Sequence, residues 1–388
     1  MQEKRGRRVN AYGQTPKASR EARRRFIIRL IVALAVLVIA VLTVVRLTRG
    51  YGLERQISAT ALNCGVSQNV TIFGEYILYY DGLSIHCMNP TGGIRWSFPV
   101  GSGARFSVSN SNMVVWNGTE VYIVDSSGRA TYNENMDGTV QFARIGSRYC
   151  AIVFGDDTEP TLMVKNLDGT QVDTEYEAYS GMLIEDVGFY GEADQYMWTL
   201  ALDVYGVAIN TVMNTFQVGK MNTGVVDLGS YLAYRVIYDN GNLRVFTTQQ
   251  MYSYDYKAVP DLSATQLVHG WQVISVDTPA RGNSDILLAR TTQLNTADGL
   301  SDLRVMSGGN DRRFTPPEKC VGAVVHSGSV YAISGNQLYR TGTARQQFYS
   351  YQLPLPQGVR VTSLIGVTSS GRAIVGCGSD VYAISLPR

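Results

Sequence analysis

The 388-residue sequence predicts an all-β protein, a β-propeller of seven or eight blades with eight favoured, preceded by one N-terminal transmembrane helix. Two observations carry this prediction. Residues 26–45 form an apolar run, and the residues after it repeat short strands between turns at a period of ~40 residues. The charge balance on either side of the run adds a third observation, which orients the chain across the membrane.

The apolar run at 26–45 has the length and composition of a membrane-spanning helix. An α-helix needs ~20 residues to cross a ~30 Å hydrocarbon core. The one charge, Arg29, lies about one turn inside the apolar edge, where its side chain reaches the headgroups. A buried core helix is disfavoured because the run has no polar face. A cleaved signal peptide is the main alternative, although the small residues Ala59-Thr60-Ala61 lie fourteen residues past Val45.

Charge divides the chain into two unlike parts. Residues 1–50 contain 12 Lys/Arg and 2 Asp/Glu, a net charge of +10, whereas residues 51–388 contain 22 and 30, a net charge of −8. Lys and Arg near a span stay on the cytoplasmic side, so residues 1–25 are expected to be a basic cytoplasmic tail and the bulk of the chain extracytoplasmic. Membrane lipid is an expected partner through the span. No nucleic acid is expected, because the exported part lacks a basic patch.

A repeat of strands follows a stalk expected at 46–62 and continues through 63–388. Runs such as Tyr76–Tyr80 and Val121–Val124 are separated by Gly, Asn, Asp and Ser, the residues that tight turns use. Four strands per ~40-residue unit indicate propeller blades, which bury their faces against one another. The segment 56–63 is the candidate for the strand that closes the ring and protects its open edge.

Turns of the form Asn/Asp-x-x-Gly recur along the strands. Glycine permits the positive φ of a tight turn, and a tryptophan after the first turn supplies a large apolar face for packing between blades. We single out these positions as a candidate structural repeat: Asn89, Thr91, Gly92, Trp96, Asp125, Gly128, Asp168 and Gly169.

These positions resemble the PQQ-like propeller repeat, in which an Asp, a Thr-Gly turn and a Trp recur along each blade. The match is clearest over residues 89–96, with Asn89 in place of the usual Asp. Over the rest of the exported part the match lies in the repeat pattern of strands and turns, not in residue identity. The chain looks like a membrane-anchored, uncharacterised propeller of Gram-positive bacteria. Quinone-dependent enzymes of this superfamily use adjacent cysteines and a calcium-binding carboxylate cluster. This sequence has no match to either, so the resemblance implies the fold and no cofactor.

Catalytic and metal-binding signatures are missing from the sequence. The five cysteines are widely spaced and are expected to be buried free thiols, and the three histidines share no metal-ligand spacing. There is no nucleophile elbow and no phosphate-binding loop. An envelope hydrolase or lyase stays the alternative to a non-enzyme, and it would need paired carboxylates from this set: Asp156, Asp157, Glu185, Asp186 and Glu192.

Clustered tyrosines are the candidate binding residues, because tyrosine offers contact area at low entropic cost. Packing between blades is the competing interpretation of these rings: Tyr252, Tyr254, Tyr256, Tyr349 and Tyr351. Non-enzymatic relatives in the PQQ-like superfamily, including the outer-membrane assembly scaffold lipoprotein, serve as protein-binding platforms.

The expected function is therefore a binding or scaffolding module of the bacterial cell envelope that holds an envelope protein or polymer. Its expected location is the cell membrane, with a single pass and a cytoplasmic N-terminus. A ligand sensor is a further alternative to the hydrolase or lyase.

Overall fold

A computed structural model describes residues 27–41, 43, 57–175, 178–279, 282–294 and 296–387, with only the backbone of residue 221. The chain divides into two units, Met1–Gln56 with Pro387–Arg388, and Ile57–Leu386. In the first unit residues 27–41 are helical and their large apolar side chains are exposed. Among the described residues, no helix combines the length and apolar character that a membrane crossing needs. The remainder of the predicted span, apart from residue 43, lies outside the described residues, as does the basic tail.

The second unit is an eight-bladed β-propeller, built in its described part from eight four-stranded antiparallel sheets. The eight blades favoured from the sequence are confirmed. The strands in chain order are β1 (Ala59–Gly65); in blade 1 β2 (Thr71–Phe73), β3 (Tyr76–Tyr80), β4 (Ser84–Met88) and β5 (Ile94–Pro99); in blade 2 β6 (Arg105–Val108), β7 (Asn112–Asn117), β8 (Glu120–Asp125) and β9 (Ala130–Asn135); in blade 3 β10 (Val140–Ile145), β11 (Tyr149–Gly155), β12 (Pro160–Asn166) and β13 (Gln171–Glu175); in blade 4 β14 (Leu183–Tyr190), β15 (Tyr196–Asp203), β16 (Asn210–Gln217) and β17 (Met221–Asp227).

The strands of the second half follow the same pattern. They are in blade 5 β18 (Ala233–Asp239), β19 (Asn242–Thr247), β20 (Gln250–Tyr254) and β21 (Gln266–Leu267); in blade 6 β22 (Trp271–Asp277), β23 (Asp285–Arg290), β24 (Leu303–Ser307) and β25 (Asn310–Phe314); in blade 7 β26 (Gly322–His326), β27 (Ser329–Ser334), β28 (Gln337–Gly342) and β29 (Tyr349–Gln352); in blade 8 β30 (Ser363–Val367), β31 (Arg372–Cys377) and β32 (Asp380–Ser385). Short 3₁₀ turns lie at Glu192–Asp194, Leu262–Ala264 and Thr291–Gln293.

Blade 8 is completed by the start of the propeller. Strand β1 pairs antiparallel with β32, with Leu62 opposite Val381, so both ends of the ring share one sheet. The backbone N–H of Ser58 donates to Ser385 Oγ at 2.7 Å beside this pairing. Leu62 then packs in one cluster with Ile77 of blade 1. The closing strand overlaps the segment 56–63, and it leaves no open edge between the last blade and the first.

Buried side chains of neighbouring blades form the core. The two middle strands of each blade carry mostly buried residues, as in β11 and β31, whereas β5 and β9 at the outer rim are largely exposed. Each apolar cluster joins residues of two adjacent blades, for example Leu287 of blade 6 with Val330 of blade 7. A single blade cannot cover its own faces, which is why the repeat folds as a ring.

Antiparallel order sorts the connections onto two ends of the propeller. We letter the strands of each blade A to D from the channel outward. Loops between A and B and between C and D lie at one end, the AB/CD face. Loops between B and C and between successive blades lie at the other end, the BC/DA face.

Candidate binding surfaces

The first Asn/Asp-x-x-Gly turn holds two blades together. In blade 1 the turn closes with Gly92 N–H donating to Asn89 O at 2.9 Å, with Thr91 between them. Trp96 on β5 then reaches blade 2, where its indole N–H donates to Ser126 O at 3.0 Å. The indole lies directly on Gly128, so these repeat positions meet between blades as the packing interpretation expects.

The same docking recurs one blade further on. The ring of Tyr132 on β9 covers Gly169 in the turn of blade 3, and Thr131 Oγ1 donates to Leu167 O at 2.7 Å. Asp168 stabilises that turn by accepting from the backbone N–H of Thr170 at 2.9 Å, a hydrogen bond that lowers the pKa of the carboxyl. In blade 2, Asp125 accepts from Ser127 N–H at 2.9 Å.

In blades 1 to 4 an extra residue bulges from the outer strand where it meets the next blade. Register shifts place these bulges at equivalent positions of blades 1 to 4, at Arg95, Thr131, Val172 and Thr223. Thr223 Oγ1 donates to Tyr256 O of blade 5 at 2.8 Å, repeating the contact of Thr131. Because a bulge redirects side chains, it turns the outer strand toward its neighbour.

The five candidate tyrosines do not form one surface. Tyr254 is buried and Tyr252 half-buried, and both pack in the cluster between blades 4 and 5. Tyr351 packs in the cluster between blades 7 and 8. Tyr256 and Tyr349 are exposed on different blades. The face of β20 that carries Tyr252 and Tyr254 is therefore turned inward, because alternation aligned it with the neighbouring blade rather than with solvent.

Tyr256 lies at one end of a chain of four tyrosine rings at the AB/CD face. Its ring lies 5.3 Å from Tyr196, which stacks on Tyr190 at 5.4 Å, and Tyr190 lies 5.3 Å from Tyr238. Only the two ends of this chain, Tyr256 and Tyr238, are exposed. Burial raises the pKa of Tyr190. The four rings thus mainly seal the contact between blades 4 and 5.

Within the described part of the propeller, six exposed apolar side chains lie on two adjacent loops of the BC/DA face. One loop joins β15 to β16 and the other joins blade 4 to blade 5. Backbone hydrogen bonds of 2.9 Å connect their bases, from Thr211 to Gly229 and from Leu228 to Thr211. We call the exposed side chains the apolar loop patch, which comprises Val204, Tyr205, Val207, Ile209, Tyr231 and Leu232.

Aspartate turns hold the apolar loop patch in place. Asp203 accepts from the backbone N–H groups of Tyr205 at 3.2 Å and Gly206 at 3.1 Å, and Asp227 accepts from Gly229 at 2.8 Å. Tyr205 is nevertheless 61% exposed and Val207 is fully exposed. The apolar side chains are displayed to solvent by ordered turns, an arrangement typical of a binding surface.

Two cavities lie along the channel-facing strands of blades 6, 7, 8 and 1 in the described part of the propeller. The one nearer the AB/CD face is about 600 Å³ and is lined by polar groups that include Asp277 and His326. Asp277 accepts from the backbone N–H of Ser327 at 2.5 Å. The other, of about 440 Å³, opens toward the BC/DA face beside Cys320. Burial raises the pKa of this thiol to about 12.

The carboxylates considered for a hydrolase lie apart. Asp186, on inner strand β14, accepts from Arg144 Nε at 2.7 Å, and Glu185 precedes it on the same strand. Asp156 and Asp157 lie in a BC loop, where Asp156 accepts from Thr158 N–H at 2.9 Å, while Glu192 lies at the opposite face. Among the described residues, no three His, Cys, Asp or Glu side chains group as a metal site.

A polar array of Asp81, His86 and Ser97 could not be predicted from the sequence, because its members are spread over three elements of blade 1. His86 Nε2 lies 2.8 Å from Asp81 Oδ2, and His86 Nδ1 lies 2.7 Å from Ser97 Oγ. His86 also stacks on Tyr79. Asp81 Oδ1 accepts from Leu83 and Ser84 N–H groups. The hydrogen bond with His86, followed by these two, lowers the pKa of Asp81 to about 2.

Comparison with known proteins supports the β-propeller fold but shows no family. The sequence matches no protein-family model and no curated protein. Among solved structures, BamB from Moraxella catarrhalis is similar at a TM-score of 0.50 and 10% identity, over 86% of this chain and 98% of that one. Saccharomyces cerevisiae Sqt1 is similar at a TM-score of 0.54 and 8% identity, over 85% of this chain and 100% of that one. The β-propeller is shown, and the Gram-positive, membrane-anchored type stays a prediction.

Proposed function

We propose that the chain is a membrane-anchored binding or scaffolding module of the bacterial cell envelope. Its extracytoplasmic propeller holds a protein partner on the apolar loop patch. The observation that carries this proposal is the patch itself, six exposed apolar side chains on two loops fixed by aspartate turns. Covering apolar surface gains about 25 cal/mol per Å², so a partner with a matching apolar surface gains free energy by docking there.

The anchor and its orientation rest on the apolar run at 26–45 and on the basic residues before it. A topology experiment tests them separately from the patch. Thr119 is exposed in a BC loop, whereas the five native cysteines are buried. In whole cells, Thr119→Cys should react with a membrane-impermeant maleimide, and the parent chain should not. Labelling that requires prior lysis would contradict the extracytoplasmic placement.

Substitutions in the patch test partner binding. The double substitution Tyr205→Ser and Val207→Ser removes one exposed aromatic ring and one exposed branched side chain. Neither side chain belongs to the core, so the fold should persist. Leu83→Ser is the matched control, because Leu83 is 65% exposed in a BC loop of blade 1, outside the patch. After crosslinking in membranes, a partner that copurifies with the parent and with Leu83→Ser should be lost with the double variant. Equal recovery with all three would contradict the patch as the binding site.

A second candidate function, a serine hydrolase, is favoured by the array of Ser97, His86 and Asp81. Its spacing allows His86 to take a proton from Ser97 Oγ while Asp81 orients the ring. A fluorophosphonate probe should then label Ser97 in the parent chain and lose that label in His86→Ala. An unlabelled parent would mean that the array only braces the turn at Asp81.

A further inference from the structure

A positively charged cavity lies in the cleft between blades 5 and 6. It has a volume of about 390 Å³ and is formed around the indole of Trp271. The guanidinium carbons of Arg290, Arg313 and Arg304 lie 4.2, 5.5 and 5.8 Å from the ring centroid of Trp271. Trp271 is only 3% exposed, so it is a fixed surface against which three cationic groups are held.

The three arginines differ in how their charges are neutralised. Arg304 is fully engaged, with two hydrogen bonds to Asp311 at 2.8 and 2.6 Å and one to Leu267 O at 2.9 Å. Arg290 approaches Asp302 only to 3.7 Å, which is too long for a hydrogen bond. Arg304 therefore holds the blades together, while Arg290 keeps hydrogen-bond donors available.

Arg313 has the least compensated charge in the cleft. It lies directly opposite Arg304 in the pairing of β24 with β25, and like charges at that position destabilise a sheet. Within the described part of the chain, no carboxylate lies within ion-pair distance of Arg313. A bound anion would relieve this repulsion, and the cavity is cationic although residues 51–388 carry a net charge of −8.

A hydrogen-bond acceptor completes the cavity wall. Gln266 lines the cavity, and its buried Oε1 has no hydrogen-bond partner among the described residues. A buried acceptor without a partner costs about 1–3 kcal/mol, and an anion that carries no O–H or N–H group cannot satisfy it. A hydroxyl group attached to the anion can donate to it.

We propose that this cavity binds a phosphate ester of a small polyol. Arg290 and Arg313 bind the phosphate oxygens, and Gln266 Oε1 accepts from a hydroxyl of the alcohol. Two guanidinium groups with free donors match a dianion with three terminal oxygens better than a carboxylate with one charge. The inference is independent of the partner proposed for the apolar loop patch, because it uses a different surface.

Calorimetric titration of the full-length chain in detergent with glycerol 1-phosphate tests the assignment. Arg313→Gln should weaken binding about tenfold or more. Arg360→Gln is the matched control, because Arg360 is exposed in the connection between blades 7 and 8, and it should bind like the parent. Gln266→Leu should weaken binding of glycerol 1-phosphate but leave binding of sulfate, a dianion without an O–H group, unchanged. Circular dichroism confirms that each variant is folded, and Arg313→Lys, which keeps the charge, should retain part of the affinity.

Two further probes distinguish the source of the phosphate. Glycerol 1-phosphate should bind more tightly than glycerophosphoglycerol, because a monoester is a dianion with three terminal oxygens whereas a phosphodiester is a monoanion with two. Tighter binding of the phosphodiester would contradict the assignment. Absence of saturable binding by these esters would overturn the proposal. Glycerate binding as tightly as glycerol 1-phosphate, or an equal loss in Arg313→Gln and Arg360→Gln, would overturn it as well.

Discussion

The contact of Trp96 with Gly128 is the strongest test of how blades are joined. Gly128 has φ = +82°, and a Cβ placed on it would lie 2.5 Å from Trp96 Cδ2. Gly128→Ala should therefore incur two costs, about 1–2 kcal/mol for the left-handed backbone and about 1–3 kcal/mol for overpacking. The free energy of unfolding should fall by about 2–5 kcal/mol in total.

Gly118 in the same blade provides the matched control. It also has a positive φ, of +63°, but no heavy atom lies within 4 Å of its Cβ position. Gly118→Ala should thus show only the backbone cost of about 1–2 kcal/mol. Urea unfolding followed by far-UV circular dichroism measures both variants. Adding Trp96→Ala should remove the overpacking part of the Gly128→Ala cost, so a double-mutant cycle should show coupling of about 1–3 kcal/mol. Equal losses in the two glycine variants, without coupling to Trp96, would refute the docking account.

Two other predictions concern titratable groups. The pKa of Asp81 is lowered from 3.8 to about 2, so its contribution to stability is present above pH 4 and is lost as the pH falls toward 2. The difference in the free energy of unfolding between the parent and Asp81→Asn, measured by urea unfolding, should therefore narrow over that pH range. A difference that stays constant with pH would contradict this prediction. Burial raises the pKa of Cys64, Cys87 and Cys377 to about 11. The five free thiols should consequently be unreactive toward Ellman's reagent at pH 8 in the folded chain and react in urea, whereas rapid reaction of any native thiol would contradict its burial.

The propeller could be predicted from the sequence because the patterns that indicate it are local and repeated. Each strand has its own apolar pattern, and each turn has its own glycine, so a period of ~40 residues gave the blades. The burial expected for the five cysteines is also observed. The packing role of Trp96 could be predicted in part, because a glycine turn and a tryptophan occur together in one repeat unit. The sequence did not indicate that its partner would be Gly128 of the next blade.

The candidate binding surfaces were harder to predict from the sequence, because they depend on which elements pack next to one another in the fold. The sequence from Val204 to Ile209 is apolar, and apolar runs are normally assigned to strands or to the core; here they form a displayed loop. Arg290, Arg304 and Arg313 lie on three different strands and meet only because β23, β24 and β25 pair in order beside Trp271. Tyr254 looked available for binding, but its strand face is covered by blade 4.

Site-specific photocrosslinking in intact cells tests directly whether the apolar loop patch holds a protein partner. A photoreactive amino acid is placed at position 207, in the apolar loop patch, and in parallel at position 83, an exposed apolar position on the same face in blade 1. Position 207 should give one defined protein adduct and position 83 none, and that adduct should be lost when Tyr205→Ser is added. The same adducts from both positions, or none from position 207, would contradict the claim that this patch holds a protein partner.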